Sequence, residues 1–410
     1  MSWPLYLALK QLFPSGRKLP TLFFFVSVLG VALGVMILVI VQSVMGGFGE
    51  TYREMIVDTN GHLRIETGAI MYDYQRILEK LDKDPRVAGA SPYAQGVVML
   101  QHVNRPAFPF IRGIDLARER KTIPMDKFMV QGKLDDLNDD SILLSSELAG
   151  KLACTVGSVV EVYTPIMLEK LRQNEVLLPH ELRVAGIYTT GWNQFDSSTM
   201  VGTLALMQDL YAIEGGIHGI TVRLQPGVEE IGYTMELNAN LARPARGFTW
   251  LDQYQDFLWV LKLEKNMMLF LLLFIVLVAA FAIAIAQLLT VVRKTREIGL
   301  IGAIGGSSRD IAFCYCFQGW FIGVLGTAGG IGLGVLALSF RNPIIHGFAR
   351  LTNSEATLVK FYQFSNLPVH YTAMDFIIIS IASITLATLA GLLPAWRAAR
   401  LRPAEALRSE

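Results

Sequence analysis

The sequence predicts an α-helical membrane protein with four transmembrane helices and a large mixed α/β external domain inserted between helices 1 and 2. Three observations predict this class. Of the 410 residues, 52% are hydrophobic and only 17% charged, against roughly 25% charged in an average soluble chain. The apolar residues gather into long runs, each able to supply the ~20 residues that cross a bilayer. About half the chain has ordinary globular patterning instead. The formal net charge of +1 argues against nucleic acid as a partner, because a nucleic-acid binder needs a basic face.

The elements follow in order. Residues 1–21 form an N-terminal segment carrying Lys10, Arg17 and Lys18. Transmembrane helix 1, 22–46, holds "LFFFVSVLGVALGVMILVIVQSVM" without a charge. A cleaved signal peptide has a shorter apolar core of about 7–15 residues, so this run is read as an uncleaved anchor. The external domain spans 47–261. Its stretches "GHLRIET", "SILLSSELAGKL", "SVVEVYTP", "ELRVAGIYTT" and "GITVRL" read as short strands and a helix separated by turn residues. Helix 2 is placed at 262–292, a connecting loop or short helix at 293–316, and helix 3 at 317–340. An external loop at 341–375, helix 4 at 376–396 and a tail at 397–410 complete the chain. Lys and Arg concentrate in the short flanks that face the cytoplasm. Arg293, Lys294, Arg296 and Arg309 between helices 2 and 3, and Arg397, Arg400, Arg402 and Arg408 in the tail, put both termini inside.

Helix 3 carries Gly319, Gly323, Gly326, Gly330 and Gly334, and helix 1 carries Gly30 and Gly34. Such small-xxx-small spacing lets helix backbones approach closely in lipid. Cys154, Cys314 and Cys316 are too few and too dispersed for a disulfide framework or a zinc site, and are read as packing residues.

The motifs of catalysis are absent. "QGKL" at 131–134 and "AGKLA" at 149–153 place leucine where a phosphate-binding loop needs its Mg²⁺-binding hydroxyl. His62, His102, His180, His218, His346 and His370 never cluster in sequence, and no HExxH occurs. "GGSSR" at 305–309 has arginine where a nucleophile elbow needs glycine. No apolar run holds a charge near its centre, as a proton relay usually does. The expectation is a non-catalytic subunit with no metal or cofactor of its own.

Several stretches carry a family resemblance. "GVALGVMILVIVQSVMGGF" at 30–48, "KLEKNMM" at 262–268, "RKTREIGLIGAIGGSSRDI" at 293–311, "FQGWFIGVLGT" at 317–327 and "LPAWRAARLRPAEALRSE" at 393–410 resemble the LolC/LolE permeases, within the FtsX/MacB-like class. The match runs along the whole chain in order. It implies a subunit of an ABC complex in the bacterial inner membrane, with the large domain in the periplasm. The implied partners are a LolD-like ATPase that binds ATP and Mg, a second permease (sister or identical copy), a LolA-like carrier, triacylated lipoproteins and membrane lipid. The alternative is a MacB/FtsX-like permease that exports another amphiphile or transmits force to a periplasmic partner.

On this resemblance, Met45, Phe48, Met267 and Met268 become candidates for acyl-chain contact, since methionine adapts to variable apolar ligands; packing within the bundle or against lipid is the other reading. Glu264 and Lys265 either meet the polar linker of the cargo or set helix depth as interfacial anchors. The long connection at 164–182 is expected to expose Pro165, Ile166, Met167, Leu168, Leu177, Leu178 and Pro179 as a carrier-docking loop, unless it packs on its own domain. Ile298, Ile301 and Ile304 recur every three residues on a short helix, with Thr295 near its start and Gly305 or Gly306 as its stop. With Arg293, Arg296 and Glu297 beside them, they are the candidate ATPase-coupling surface. Leu407 in the tail is a second anchor, or part of a basic segment lying on anionic lipid.

Overall fold

The structure is a computed structural model that describes residues 3–12, 18–167, 178–344, 347 and 367–400. The described chain divides into a helical unit, before Thr51 and after Trp259, and a sheet-bearing unit between them.

Among its described residues, the sheet-bearing unit has twelve strands. They are β1 (Leu63–Met71), β2 (Val87–Val97), β3 (Met99–His102), β4 (Arg105–Ala107), β5 (Phe110–Ile114), β6 (Met129–Gln131), β7 (Ser141–Ser145), β8 (Val159–Tyr163), β9 (His180–Tyr188), β10 (Thr199–Thr203), β11 (Ile217–Leu224) and β12 (Arg246–Thr249). Their order is β12-β1-β11-β2-β5-β10-β7-β9-β8-β3-β4, with β6 also pairing β9. Two pairs, β5·β10 and β7·β9, are parallel and the others antiparallel. β7, "SILLS", is buried at every position, as a strand covered on both faces must be. Several strand-to-helix turns in this unit share one device: a hydroxyl or carboxylate at the strand's end, or just after it, caps the next helix. Ser145 accepts from the Leu148 N–H at 3.1 Å, Thr203 from Leu206 at 3.1 Å and Asp115 from Ala117 at 3.0 Å.

Four apolar clusters result, two of them extensive. One gathers Leu100, Ile111, Ile142, Leu144, Val184 and Met200; the other gathers Leu63, Ile65, Leu78, Ile220, Val222 and Tyr233.

Among the described residues, four helices are long and apolar enough to cross a membrane. The first runs Lys18–Asn60, the second Gln255–Arg293, the third Ser308–Ser339 and the fourth Ala373–Ala399, the last reset at Gly391. The first two extend well beyond the apolar runs expected at 22–46 and 262–292. Hydropathy marks where a helix can sit in lipid and says nothing about where it stops. The first helix stops at Asn60 because Gly61 follows in the left-handed region at φ +74°, the usual glycine stop. Thr249 and Asp252 form a reciprocal capping box just ahead of the second helix.

The third helix is the hub of its unit. A Cβ on Gly330 would lie 2.6 Å from the Ala32 carbonyl oxygen and from Val35 Cβ. Gly326 is as close to Val31, and Gly334 would come within 2.9 Å of Val39. On another side, Gly319 and Gly323 would meet Ala387 at 2.7 and 2.8 Å. One stripe of small residues thus receives the first helix and another receives the fourth. Apolar lipid supplies no hydrophobic drive for helix pairing, so close packing must hold the pair.

Gly330→Ala is therefore expected to force the first and third helices apart and destabilise the chain by about 1–3 kcal/mol, the usual effect of overpacking. Gly332→Ala faces open space and serves as the control. Thermal unfolding in detergent should show a lower Tm for the first variant alone.

Candidate functional site

The residues singled out in the sequence fall into three places. The first is the short helix Thr295–Ala303. Its stop is Gly305, at φ +103°. Thr295 does not cap it: its Oγ1 donates to the Val292 carbonyl at 2.8 Å, back toward the preceding helix. The three isoleucines do not share one environment. Ile298 is buried among Val291, Ile311, Tyr315, Ala395 and Ala398 of its own unit, Ile301 packs at the edge of that cluster, and Ile304 is 79% exposed. Arg293, Arg296 and Glu297 are exposed, and Glu297 faces Lys294 Nζ at 3.7 Å. Exposed apolar surface on this element thus begins at Leu300 and Ile304; Ile298 fixes the short helix to the bundle. Leu407 lies outside the described residues.

The second place is the end of the helical unit around Met45 and Phe48, both half-buried. Met267 and Glu264 are exposed and Met268 is half-buried. Lys265 Nζ pairs with Asp375 Oδ2 at 2.7 Å, joining the second helix to the first turn of the fourth. The chain at 367–370 crosses the first helix at Gly46 and Gly47. A Cβ on Gly47 would lie 2.4 Å from the Pro368 carbonyl carbon, and the His370 N–H donates to the Ser43 carbonyl at 3.0 Å. Lys265 is therefore engaged within its own chain. In the same unit, the second and fourth helices form a groove of about 440 Å³ lined by Leu277, Phe281, Leu288, Leu386 and Leu389. Its lining is wholly apolar.

The third place is the long connection between β8 and β9. Pro165 is exposed and Leu178 is 83% exposed, whereas Ile166 and Pro179 are half-buried. Met167, expected at the surface, is buried, because the backbone turns in at once with the Met167 N–H on the Thr164 carbonyl at 3.1 Å. Leu168 and Leu177 lie outside the described residues.

A fourth constellation was not anticipated. The last turns of the first long helix are tied to the sheet by a series of polar contacts. Arg53 pairs with Glu230 at 2.9 Å, and Asp58 with Arg223 at 2.7 Å. The Thr59 carbonyl accepts from Arg112 Nη1 at 3.2 Å, Asn60 Oδ1 accepts from Arg64, and Asn60 Nδ2 donates to the Tyr254 hydroxyl at 3.3 Å. Glu230 also accepts the Trp250 indole N–H. Arg112 comes from β5, lies over the Tyr93 ring at 5.1 Å and pairs with Glu119 at 3.6 Å. Arg112 and Glu119 are 4% and 1% exposed. Burial pushes the Glu119 carboxyl up and the Arg112 guanidinium down, each opposed by the other's charge. His62, 4.0 Å from Glu230, is held below its ordinary 6.5 by burial, with Glu230 pulling the other way. The partners lie far apart in sequence, so no local motif reveals them. The "DTNG" stop at 58–61 is the one local signal for where the helix ends.

Among the described residues, no group of His, Cys, Asp and Glu is placed to hold a metal ion. The three cysteines are free; Cys154 and Cys314 are buried and Cys316 is half-buried.

Comparison with known proteins places these features in context. Residues 269–403 match the family model for the FtsX-like permease C-terminal region, and residues 24–232 match that for the MacB-like periplasmic core domain. The lipoprotein-releasing system transmembrane protein LolC of Xylella fastidiosa (strain Temecula1) is 30% identical over 391 residues, covering 94% of this chain and 93% of its own. LolC of Neisseria meningitidis serogroup B is 28% identical, covering 94% of each chain. LolE of Haemophilus influenzae is 22% identical, covering 93% of each.

Two outcomes follow from the helix-to-sheet ties. Arg112→Leu should destabilise the chain by about 3–5 kcal/mol, because it strands a buried carboxylate; adding Glu119→Leu should recover most of that loss in denaturant unfolding. For His62 the sign is set by its depressed folded-state value. As pH falls below 6.5 the unfolded chain takes up the proton first, so stability is present above that pH and lost beneath it. His62→Gln should flatten that part of the pH–stability curve.

Proposed function

The chain belongs to the LolC/LolE family of lipoprotein-releasing transmembrane proteins, and from that premise we propose that it is the permease subunit of an ABC complex that lifts triacylated lipoproteins from the inner membrane. A separate, LolD-like ATPase supplies the energy, a second permease completes the membrane part, and a LolA-like periplasmic carrier receives the cargo.

The physical problem sets the mechanism. Lipid anchoring is worth about 0.8 kcal/mol per buried CH₂, so three acyl chains hold a protein by roughly tens of kcal/mol. Exposing them to water is prohibitive, and the chains must pass from one apolar surface to another. Met45, Phe48, Met267 and Met268 offer adaptable apolar contact for them. Leu300 and Ile304 give the ATPase its grip, with Arg296 and Glu297 setting register. Ile298 passes that push into the bundle, because it is buried against residues of the second, third and fourth helices. The exposed end of the connection at 164–182 is the docking point for the carrier.

The observation that carries the reading is how the first long helix ends. It continues without interruption from Lys18 to Asn60, and ion pairs and hydrogen bonds fix its last turns to the sheet. An element meant only to anchor a domain does not need that many directional ties. An element that relays movement does. The same ties would serve a MacB/FtsX-like permease that transmits force or exports another amphiphile, so the cargo must be identified directly.

The test is purification from native membranes. Wild-type chain should bring down an ATPase, a second permease and lipoprotein together; ATPase without lipoprotein in an active complex would favour the other amphiphile. Ile304→Asp should lower ATPase recovery about tenfold or more, the effect of some 1.4 kcal/mol, with Tm unchanged because the side chain is 79% exposed. Unaltered ATPase recovery in that variant would remove Ile304 from the interface.

A further inference from the structure

A pocket of about 230 Å³ opens within the sheet-bearing unit, where the first long helix ends. Arg64, Arg112, Gln95, Phe110, Trp192 and Tyr254 are among the residues lining it, and no Asp or Glu is. Its volume is below the roughly 300–1,000 Å³ that accommodates drug-sized ligands, so an occupant is small.

Three observations point to what that occupant is. First, the charge is unevenly matched. Arg112 shares its charge with Glu119, whereas Arg64 forms no ion pair among the described residues and donates to the neutral Asn60 side chain. The nearby Glu66 carboxylate accepts the Tyr93 hydroxyl at 2.6 Å. Second, the Nε–H groups of Arg64 and of Arg112, itself 4% exposed, are buried without a hydrogen-bond partner. Buried donors are normally paired, and an orphan in a native site calls for an explanation. Third, the remaining wall is aromatic. Trp192 stacks on Phe195 with centroids 6.4 Å apart and meets Tyr254 edge to face at 5.3 Å, while Phe110 is 48% exposed. An inorganic anion would balance the guanidinium groups and leave the rings bare. A neutral hydrocarbon would cover the rings and leave the charge unmatched. A carboxylate suits planar guanidinium donors, and a flat body suits the ring faces.

We propose that this pocket binds a small aromatic carboxylate, its carboxylate toward Arg64 and Arg112 and its ring against Phe110 and Trp192. The reading is independent of what the membrane helices carry. The same groups hold the helix end: Arg112 and Arg64 bond Thr59 and Asn60, and Asn60 bonds Tyr254. Occupancy therefore tightens the junction between the first long helix and the sheet, and small molecules of this class become modulators of that junction.

The experiment uses the full chain in detergent, with calorimetric titration and thermal unfolding. Benzoate is the probe; inorganic phosphate supplies the charge without the ring, and benzyl alcohol the ring without the charge. Saturable benzoate binding that raises Tm is expected, with phosphate and benzyl alcohol at least tenfold weaker. Arg64→Gln should weaken benzoate binding at least tenfold. Phe110→Ala, at a half-exposed position that leaves the cores intact, should weaken it several-fold. Absence of saturable benzoate binding to the wild-type chain would overturn the proposal. So would phosphate binding as tight as benzoate, or benzoate binding unchanged in a folded Arg64→Gln or Phe110→Ala chain.

Discussion

The buried pair of Arg112 and Glu119 is the constraint on which the attachment of the first long helix rests. A lone arginine could not be placed at 4% exposure in the middle of a sheet, because stripping water from an unpaired charge is too unfavourable. Glu119, from the helix Leu116–Thr122 that follows β5, makes the placement tolerable. The guanidinium is then free to reach the Thr59 carbonyl, in the last turn of the long helix, where the helix dipole is negative and orphan carbonyls need donors. A pair of this kind adds little net stability over a well-packed apolar substitute. What it gives is a fixed register: the helix end can rest in one orientation only, with Asp58 on Arg223 and Arg53 on Glu230 to either side.

In the helical unit the same task is done by the opposite means. Helices there approach each other through the absence of side chains. Gly326, Gly330 and Gly334 accept the first helix, Gly319 and Gly323 the fourth, and Gly47 accepts the backbone of Pro368. Among the described residues, the Gln42 side chain donates to the Lys265 carbonyl at 3.4 Å, and the Lys265–Asp375 pair sits at the helix ends.

Much of this architecture was legible in the sequence. Composition and run length gave the four long helices, and the glycine spacing foretold that helix 3 is a packing surface. The limits are equally physical. Hydropathy reports the medium around a segment, so it ended the first helix at residue 46, while the backbone continues to the glycine stop at 61. Periodicity reports which residues share a face and is silent on what covers that face. Periodicity therefore groups Ile298 with Ile304, although the bundle buries the first and leaves the second exposed. The helix-end ties were invisible because their partners are separated by 53 residues for Arg112 and Thr59 and by 177 for Arg53 and Glu230. Such pairs become recognisable only once the sheet order brings β5 and β11 near the helix end.

The two devices belong to two solvents. Between lipid-facing helices there is no water to exclude, so specificity has to come from shape, and the smallest side chain gives the closest fit. In water an apolar contact is strong but non-directional, so orientation has to come from charge and hydrogen bonds. The first long helix uses both along its length: glycine partners on the third helix around Val31 to Val39, then ion pairs and hydrogen bonds from Arg53 to Asn60. The change falls between Gly47 and Arg53.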